Sequence, residues 1–267
     1  MSLPLLEVCV ASLADALAAV DGGAGRVELN SALELGGLTP SAGLLLEVVE
    51  ALSATPATVV AMIRPRPGGF CYHKSDLRVM QRDIALALKL GADGVALGVL
   101  TELGKIDRER CAELIAPILE AGKQAVFHRA FDLTPAPMDA IETLIELGFC
   151  RVLTSGQAST AFAGAGTIGA LTKKAAGRIE LLPGGGVRPD NVAQLMQFTG
   201  CTQMHGSLRG ALQDRSNRNN PDLRFSVANL PPESQYGATD QHLVARVVEA
   251  MREAGMGAKG PRGQGGE

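Results

Sequence analysis

Short apolar runs recur along this chain, and most of them end in a residue that can do chemistry. VELN closes on Glu28 and Asn30, AMIRP carries Arg64, and VFHRAFD carries His128, Arg129 and Asp132. RVLTSG closes on Thr154 and Ser155, LLPGGG on Gly184, Gly185 and Gly186, and QMHGS on His205 and Ser207. Amphipathic helical stretches separate these runs. Strand then helix, repeated, predicts βα units around a parallel sheet. Polar strand ends in so many units fit a single α/β domain, a (β/α)8 TIM-barrel-like fold with one shared site at its C-terminal face.

The strands are predicted at 5–10, 26–30, 59–64, 93–98, 124–129, 150–155, 178–183 and 201–206. Ser12, the Thr39-Pro40 pair, Ser75, Asp107 and Asp190 read as helix N-caps, and glycines at 22, 91 and 148 as helix stops. Residues 209–238 form a polar stretch with no clear element, read as an elaborated loop before a last helix over 240–253. The domain is expected to span 1–254, and the Gly-rich tail 255–267 to be disordered.

A length of 267 residues suits one barrel, since such domains need about 250. The net charge of −3 leaves no basic footprint for nucleic acid. No apolar run reaches the roughly 18 residues of a membrane span, and no signal peptide precedes the first strand. Aromatic content is 3% with no Trp, which argues against a sugar- or base-stacking surface. The cysteines, Cys9, Cys71, Cys111, Cys150 and Cys201, form no C-x-x-C pair. A reducing cytoplasm is the expected setting.

The glycines at 184–186 sit where barrels often hold phosphate, in the loops after strands seven and eight. Their amides, with Ser207 and Arg64, make an anion site, or else the glycines are only turn formers. His128 and His205 titrate near neutrality and end two strands. They are acid/base or ligand candidates, or rings hydrogen-bonded in the wall. His128 and Arg129 alternate on one strand, so at most one is expected to face the axis. Arg129 and Asp132 can form a structural ion pair. Glu28 and Arg64, from consecutive strands, are expected to be neighbours, either a salt bridge or a catalytic Glu beside a substrate-binding Arg. Cys9 shares the inward alternation of Glu7 and is a buried thiol or a soft-metal ligand helped by His205, His128 or Met204. Cys71 is the expected exposed thiol.

LEVCV, RVELNSALELGGLTPS, MIRPRPGGFCY, GADGVALGVL, FHRAFD, RVLTSG and PGGGV with Asn191, in this order over about residues 5–207, resemble the CutC family of copper homeostasis proteins. The resemblance implies a TIM-barrel-like fold, a cytoplasmic homo-oligomer (dimer or tetramer) and a role in copper handling, with Cu(I) as metal and Cys9 as its ligand. Glu7, Glu28, Arg64, His128, Arg129, Asp132, Ser155 and His205 match the family pattern. Asn30 stands where many members carry a second cysteine, Gln203 where an acid precedes the last histidine, and the Asp after the paired glycines at 68 and 69 is missing. The alternative reading is a TIM-barrel enzyme acting on a small anionic or phosphorylated metabolite, with Glu28, His128, Asp132 and His205 as catalytic candidates. Arg64, Gly184, Gly185, Gly186 and Ser207 would hold the anion.

Overall fold

Runs of β-branched and small apolar residues form eight short strands in the computed structural model, which describes residues 4–225 and 232–257. They are β1 (Leu5–Val10), β2 (Arg26–Leu29), β3 (Thr58–Met62), β4 (Gly94–Leu97), β5 (Gln124–Phe127), β6 (Arg151–Thr154), β7 (Glu180–Pro183) and β8 (Gln203–Gly206). Their order is β7-β6-β5-β4-β3-β2-β1-β8, and every pairing along it is parallel. A parallel bridge from Gly184 to His205 brings β7 to β8, so the eight strands form a nearly closed barrel.

The helices α1 (Leu13–Asp21), α2 (Ala42–Leu52), α3 (Lys74–Lys89), α4 (Arg108–Glu120), α5 (Pro137–Leu147), α6 (Ala165–Ala175) and α7 (Val192–Thr199) follow the first seven strands in turn. α8 (Gln241–Gly257) completes the ring. The large apolar core lies between barrel and helices, with fully buried Phe127, Leu29, Ile84, Ile118 and Leu144. A separate small cluster, Val60, Met62, Ala96 and Val126, comes from alternate positions of β3, β4 and β5 and fills part of the barrel interior. Among the described residues no helix is long and apolar enough to cross a membrane.

Several local expectations hold: Ser12 and Asp107 cap α1 and α4 by accepting the amides of Asp15 and Arg110. Others are corrected. Ser41, not Thr39, caps α2, because the Thr39 hydroxyl accepts the Arg64 amide at 3.0 Å instead and ties the β2–α2 loop to the end of β3. α3 is capped at His73 rather than Ser75, because Asp76 reaches back to the His73 amide. α7 starts after Asn191 rather than Asp190. The Asn191 amide group accepts from Arg188 N and donates to Gly186 O, so it shapes the glycine loop.

The stretch at 209–238 is not a plain loop. It forms an antiparallel hairpin, β9 (Arg209–Gln213) with β10 (Gln235–Thr239), at the mouth of the barrel, and residues 226–231 lie outside the described residues. The hairpin escaped the sequence pattern because its strands face solvent and carry little apolar alternation. The expected disordered tail begins inside α8, which runs to Gly257, and the rest of it, 258–267, lies outside the described residues.

Candidate functional site

Inward-facing side chains divide the barrel into a floor and a mouth. On the floor, Arg26 donates to Glu7 through Nε and to Gln203 through a terminal nitrogen at 2.7 Å. Arg151 donates to Glu180 at 2.8 Å and to Gln124 at 3.0 Å. Both arginines are buried, and pairing with an anion is what makes a buried guanidinium tolerable. Glu7 also bonds His205 Nδ1 at 2.8 Å, which links floor to mouth.

The mouth encloses a cavity of about 390 Å³. Cys9 and Glu28 enter it from β1 and β2 as register partners, His205 from β8, and Met62 and Leu153 from β3 and β6. Asn30, Arg64 and His128 enter just beyond their strand ends. β5 stops at Phe127, and His128 then caps a 3-10 turn, Arg129–Leu133. Alternation ends there, so His128 and Arg129 both line the cavity, contrary to the expectation that only one would. Gly98 makes room for the histidine: a Cβ at 98 would lie 2.7 Å from the imidazole.

Glu28 and Arg64 do not pair. The Asn30 Nδ2 donates to the Glu28 carboxylate at 3.1 Å. The Arg64 guanidinium donates to the carbonyls of Leu35, Gly37 and Gly68, and it stacks over Phe70 at 5.1 Å. Those carbonyls belong to the loops after β2 and β3, so Arg64 satisfies turned backbone instead of a neighbouring strand.

Environment drives the two carboxylates apart. Burial raises the pKa of Glu7, but the Arg26 charge and the His205 contact outweigh it and leave Glu7 at about 2. Burial raises Glu28, with no arginine close enough to reverse the effect, so its carboxyl sits above the usual range. Burial also lowers His205, but its contacts with Cys9 and Glu7 dominate and lift it well above an ordinary histidine. Burial and the Arg64 charge push His128 down to about 3.

Four residues at the mouth carry a buried polar atom with no hydrogen-bond partner among the described residues: Asn30 Oδ1, Arg64 Nε, His128 Nε2 and Arg209 Nε. Buried polar groups are nearly always paired, so such a concentration is unusual. The carboxylates of Glu7 and Glu28 and the ring of His205 also lie close enough together for their ligand atoms to share one ion.

A second cavity, of about 550 Å³, adjoins the first and shares Cys9, Arg129, His205, Ser207 and Arg209 with it. Gly185 and Gly186, both at positive φ, line it together with Ser207, Arg188, Arg246 and the carboxylate-bearing Asp190. Arg188 and Arg246 have no carboxylate partner among the described residues. The Gly184 amide is already spent on Thr154 O at 2.9 Å, and Arg64 lines only the first cavity. Of the expected anion set, Gly185, Gly186 and Ser207 therefore come together, and Gly184 and Arg64 stand apart. Sequence reasoning missed Arg188, Arg209 and Arg246. They come from a loop, the hairpin and α8, and no strand-end signal marks them.

Asp132 lines neither cavity. It pairs with Arg129 at 2.8 Å and accepts from the Ser155 amide and hydroxyl, so it positions Arg129 and the β6 loop. Met204 is fully buried in the outer core, away from Cys9. Cys71 is exposed, as expected, and Cys111, Cys150 and Cys201 hydrogen-bond carbonyls or Thr172 elsewhere in the fold.

Comparison with known proteins gives one consistent answer. The model of the CutC family matches residues 4–210. A CutC family protein of Treponema denticola is 41% identical over 246 residues, covering 92% of this chain and 98% of its own. The human copper homeostasis protein cutC homolog is 47% identical over 205 residues, covering 77% of this chain and 73% of its own. The crystal structure of a CutC protein from Streptococcus agalactiae superposes with a TM-score of 0.73 at 38% identity, covering 77% of this chain and 99% of that one.

Proposed function

The chain belongs to the CutC family, and from that premise we propose that it takes part in copper homeostasis, the role its human and mouse relatives are named for. On the same family likeness it acts in the cytoplasm as a homo-oligomer. Its working site is the barrel mouth, which acts as an acid–base site on a small anionic metabolite. The observation that carries this reading is the joined pair of cavities. Among the described residues, one holds buried polar atoms without partners in a cavity shared with Glu28, and the other holds two arginines without carboxylate partners together with a glycine loop. Storage of a single metal ion needs neither.

Calorimetric titration of the full chain with inorganic phosphate tests the anion half. Saturable binding at millimolar concentration or below is expected, lost in the Arg188→Ala/Arg246→Ala double variant. Gly185→Val should also abolish it, because a branched side chain at φ 107° is strained and distorts the loop that lines the cavity. No saturable heat in the wild type contradicts the reading.

A second reading has its own support. Cys9 and His205 line the same cavity, and a cysteine sulfur with an imidazole is a donor set that Cu(I) accepts. The fit is partial, because among the cysteines only Cys9 lines the mouth. Copper would be cargo here, weakly held. Cys9→Ser should lower Cu(I) affinity sharply in competition with a chromogenic chelator, and Asn30→Cys should raise it. Unchanged affinity in Cys9→Ser rules this site out.

A further inference from the structure

The side-chain chemistry of the mouth narrows the ligand class, and the narrowing rests on the anion reading above. Begin with His128. Its Nδ1 accepts the Ala130 amide at 3.3 Å, and a ring nitrogen that accepts carries no proton. With a pKa of about 3 the ring is neutral at any physiological pH. Its single proton is therefore on Nε2, which is buried and has no partner among the described residues, on a side chain that lines the cavity. The ring cannot turn away freely. Phe70 packs against it at 4.8 Å between centroids, and Gly98 lies directly beneath it. A neutral imidazole N–H held in place at the mouth is a hydrogen-bond donor for a carbonyl oxygen, and it strengthens as that oxygen gains negative charge.

Next comes Glu28. It shares the cavity with His128, has Asn30 as its side-chain hydrogen-bond partner, and forms no salt bridge among the described residues. Glu34, the other carboxylate there, pairs with Arg209 at 3.5 Å. Glu28 is thus the carboxylate placed to exchange a proton with a ligand. The second cavity supplies the cationic end.

We propose that the ligand is a phosphorylated carbonyl compound: its phosphate sits between the Gly185–Gly186 loop and Arg188 with Arg246, His128 Nε2–H bonds its carbonyl oxygen, and Glu28 moves a proton at the neighbouring carbon. The step balances within the site. The Glu28 carboxylate takes the C–H proton. With a hydroxyl on that carbon, the C–H electron pair becomes the C=C bond of an enediolate, and the carbonyl π pair moves to the oxygen that faces His128. Return of the proton to the same carbon completes an exchange. Return to the former carbonyl carbon, with the hydroxyl proton passing to the oxygen at His128, completes an isomerisation, with nothing oxidised or reduced and no co-reactant.

The full chain is titrated with 2-phosphoglycolate, whose carboxylate resembles the enediolate, and with inorganic phosphate. A transition-state-like ligand should bind at least about tenfold tighter than phosphate. In His128→Ala the ratio should fall to near one with phosphate affinity unchanged, and His128→Gln, which keeps an N–H donor, should recover part of it. Arg246→Ala should weaken both ligands alike. If phosphate binds but the ratio is near one, or survives His128→Ala, this inference is overturned and the anion reading stands. If phosphate does not bind, both fall. Should His128→Ala not fold, 15N-detected histidine spectra of the wild type decide. The Nε2 signal of His128 must shift with 2-phosphoglycolate and not with phosphate, and an unmoved signal overturns the proposal.

Discussion

The floor and the mouth of this barrel are built from the same strands and treat buried polarity in opposite ways. On the floor each guanidinium meets a carboxylate and a glutamine: Arg26 with Glu7 and Gln203, Arg151 with Glu180 and Gln124. At the mouth, Asn30, Arg64, His128 and Arg209 each keep one buried atom without a partner. Paired burial holds strands together. Unpaired burial costs stability, roughly 1–3 kcal/mol for each group. Charge on a strand therefore does not by itself mark a site; its unmet hydrogen bonds do.

The largest expected effect separates the two regions by stability. Arg26→Met leaves Glu7 buried without the guanidinium it is bonded to. It should cost roughly 3–5 kcal/mol in urea unfolding, the usual range for breaking a buried ion pair. Glu28→Gln at the mouth removes a carboxyl that burial already disfavours. Its stability change should stay within about 1 kcal/mol. If the two variants cost the same, the distinction between floor and mouth fails.

A smaller effect sharpens the comparison through pH. His128 has its folded pKa depressed to about 3, so below 6.5 the unfolded chain takes up a proton that the folded one refuses. Its neutral burial is fully tolerated above 6.5, and stability falls as pH drops. His205 has its folded pKa raised, so its contribution is full below 6.5 and fades as pH rises. Against His128→Gln, the wild type should lose up to about 2 kcal/mol between pH 6.5 and 5, since each proton is worth about 1.4 kcal/mol per pH unit. Against His205→Gln, the wild type should lose stability only on the alkaline side of 6.5. Urea titrations at several pH values check both limbs, and limbs of the opposite sign contradict the assignment of His128 as neutral and His205 as charged.

Much of this was legible in the chain. Eight alternating strand–helix units, most of whose strands end in reactive residues, made the barrel legible, because inward alternation and the strand-end position are both local properties. Glu28, His128, His205 and Cys9 reach the mouth for that reason. The pairings were not legible. Glu28 turned to Asn30 and Arg64 to three carbonyls, choices that depend on loop backbone no periodicity encodes. The second cavity was half visible. Its glycines stand in one motif, whereas Arg188, Arg209 and Arg246 come from a loop, a solvent-facing hairpin and the last helix. Asp132 looked catalytic beside His128 and instead holds Arg129 and Ser155 in place.

The central claim is that the unpaired atoms of the mouth await a two-ended anionic ligand. A high-resolution crystal structure of the full chain with 2-phosphoglycolate tests it most directly. The account expects the phosphate against Gly185, Gly186, Arg188 and Arg246, and the carboxylate within hydrogen-bond distance of His128 Nε2. A mouth filled by water alone, or a ligand bound elsewhere on the protein, would contradict it.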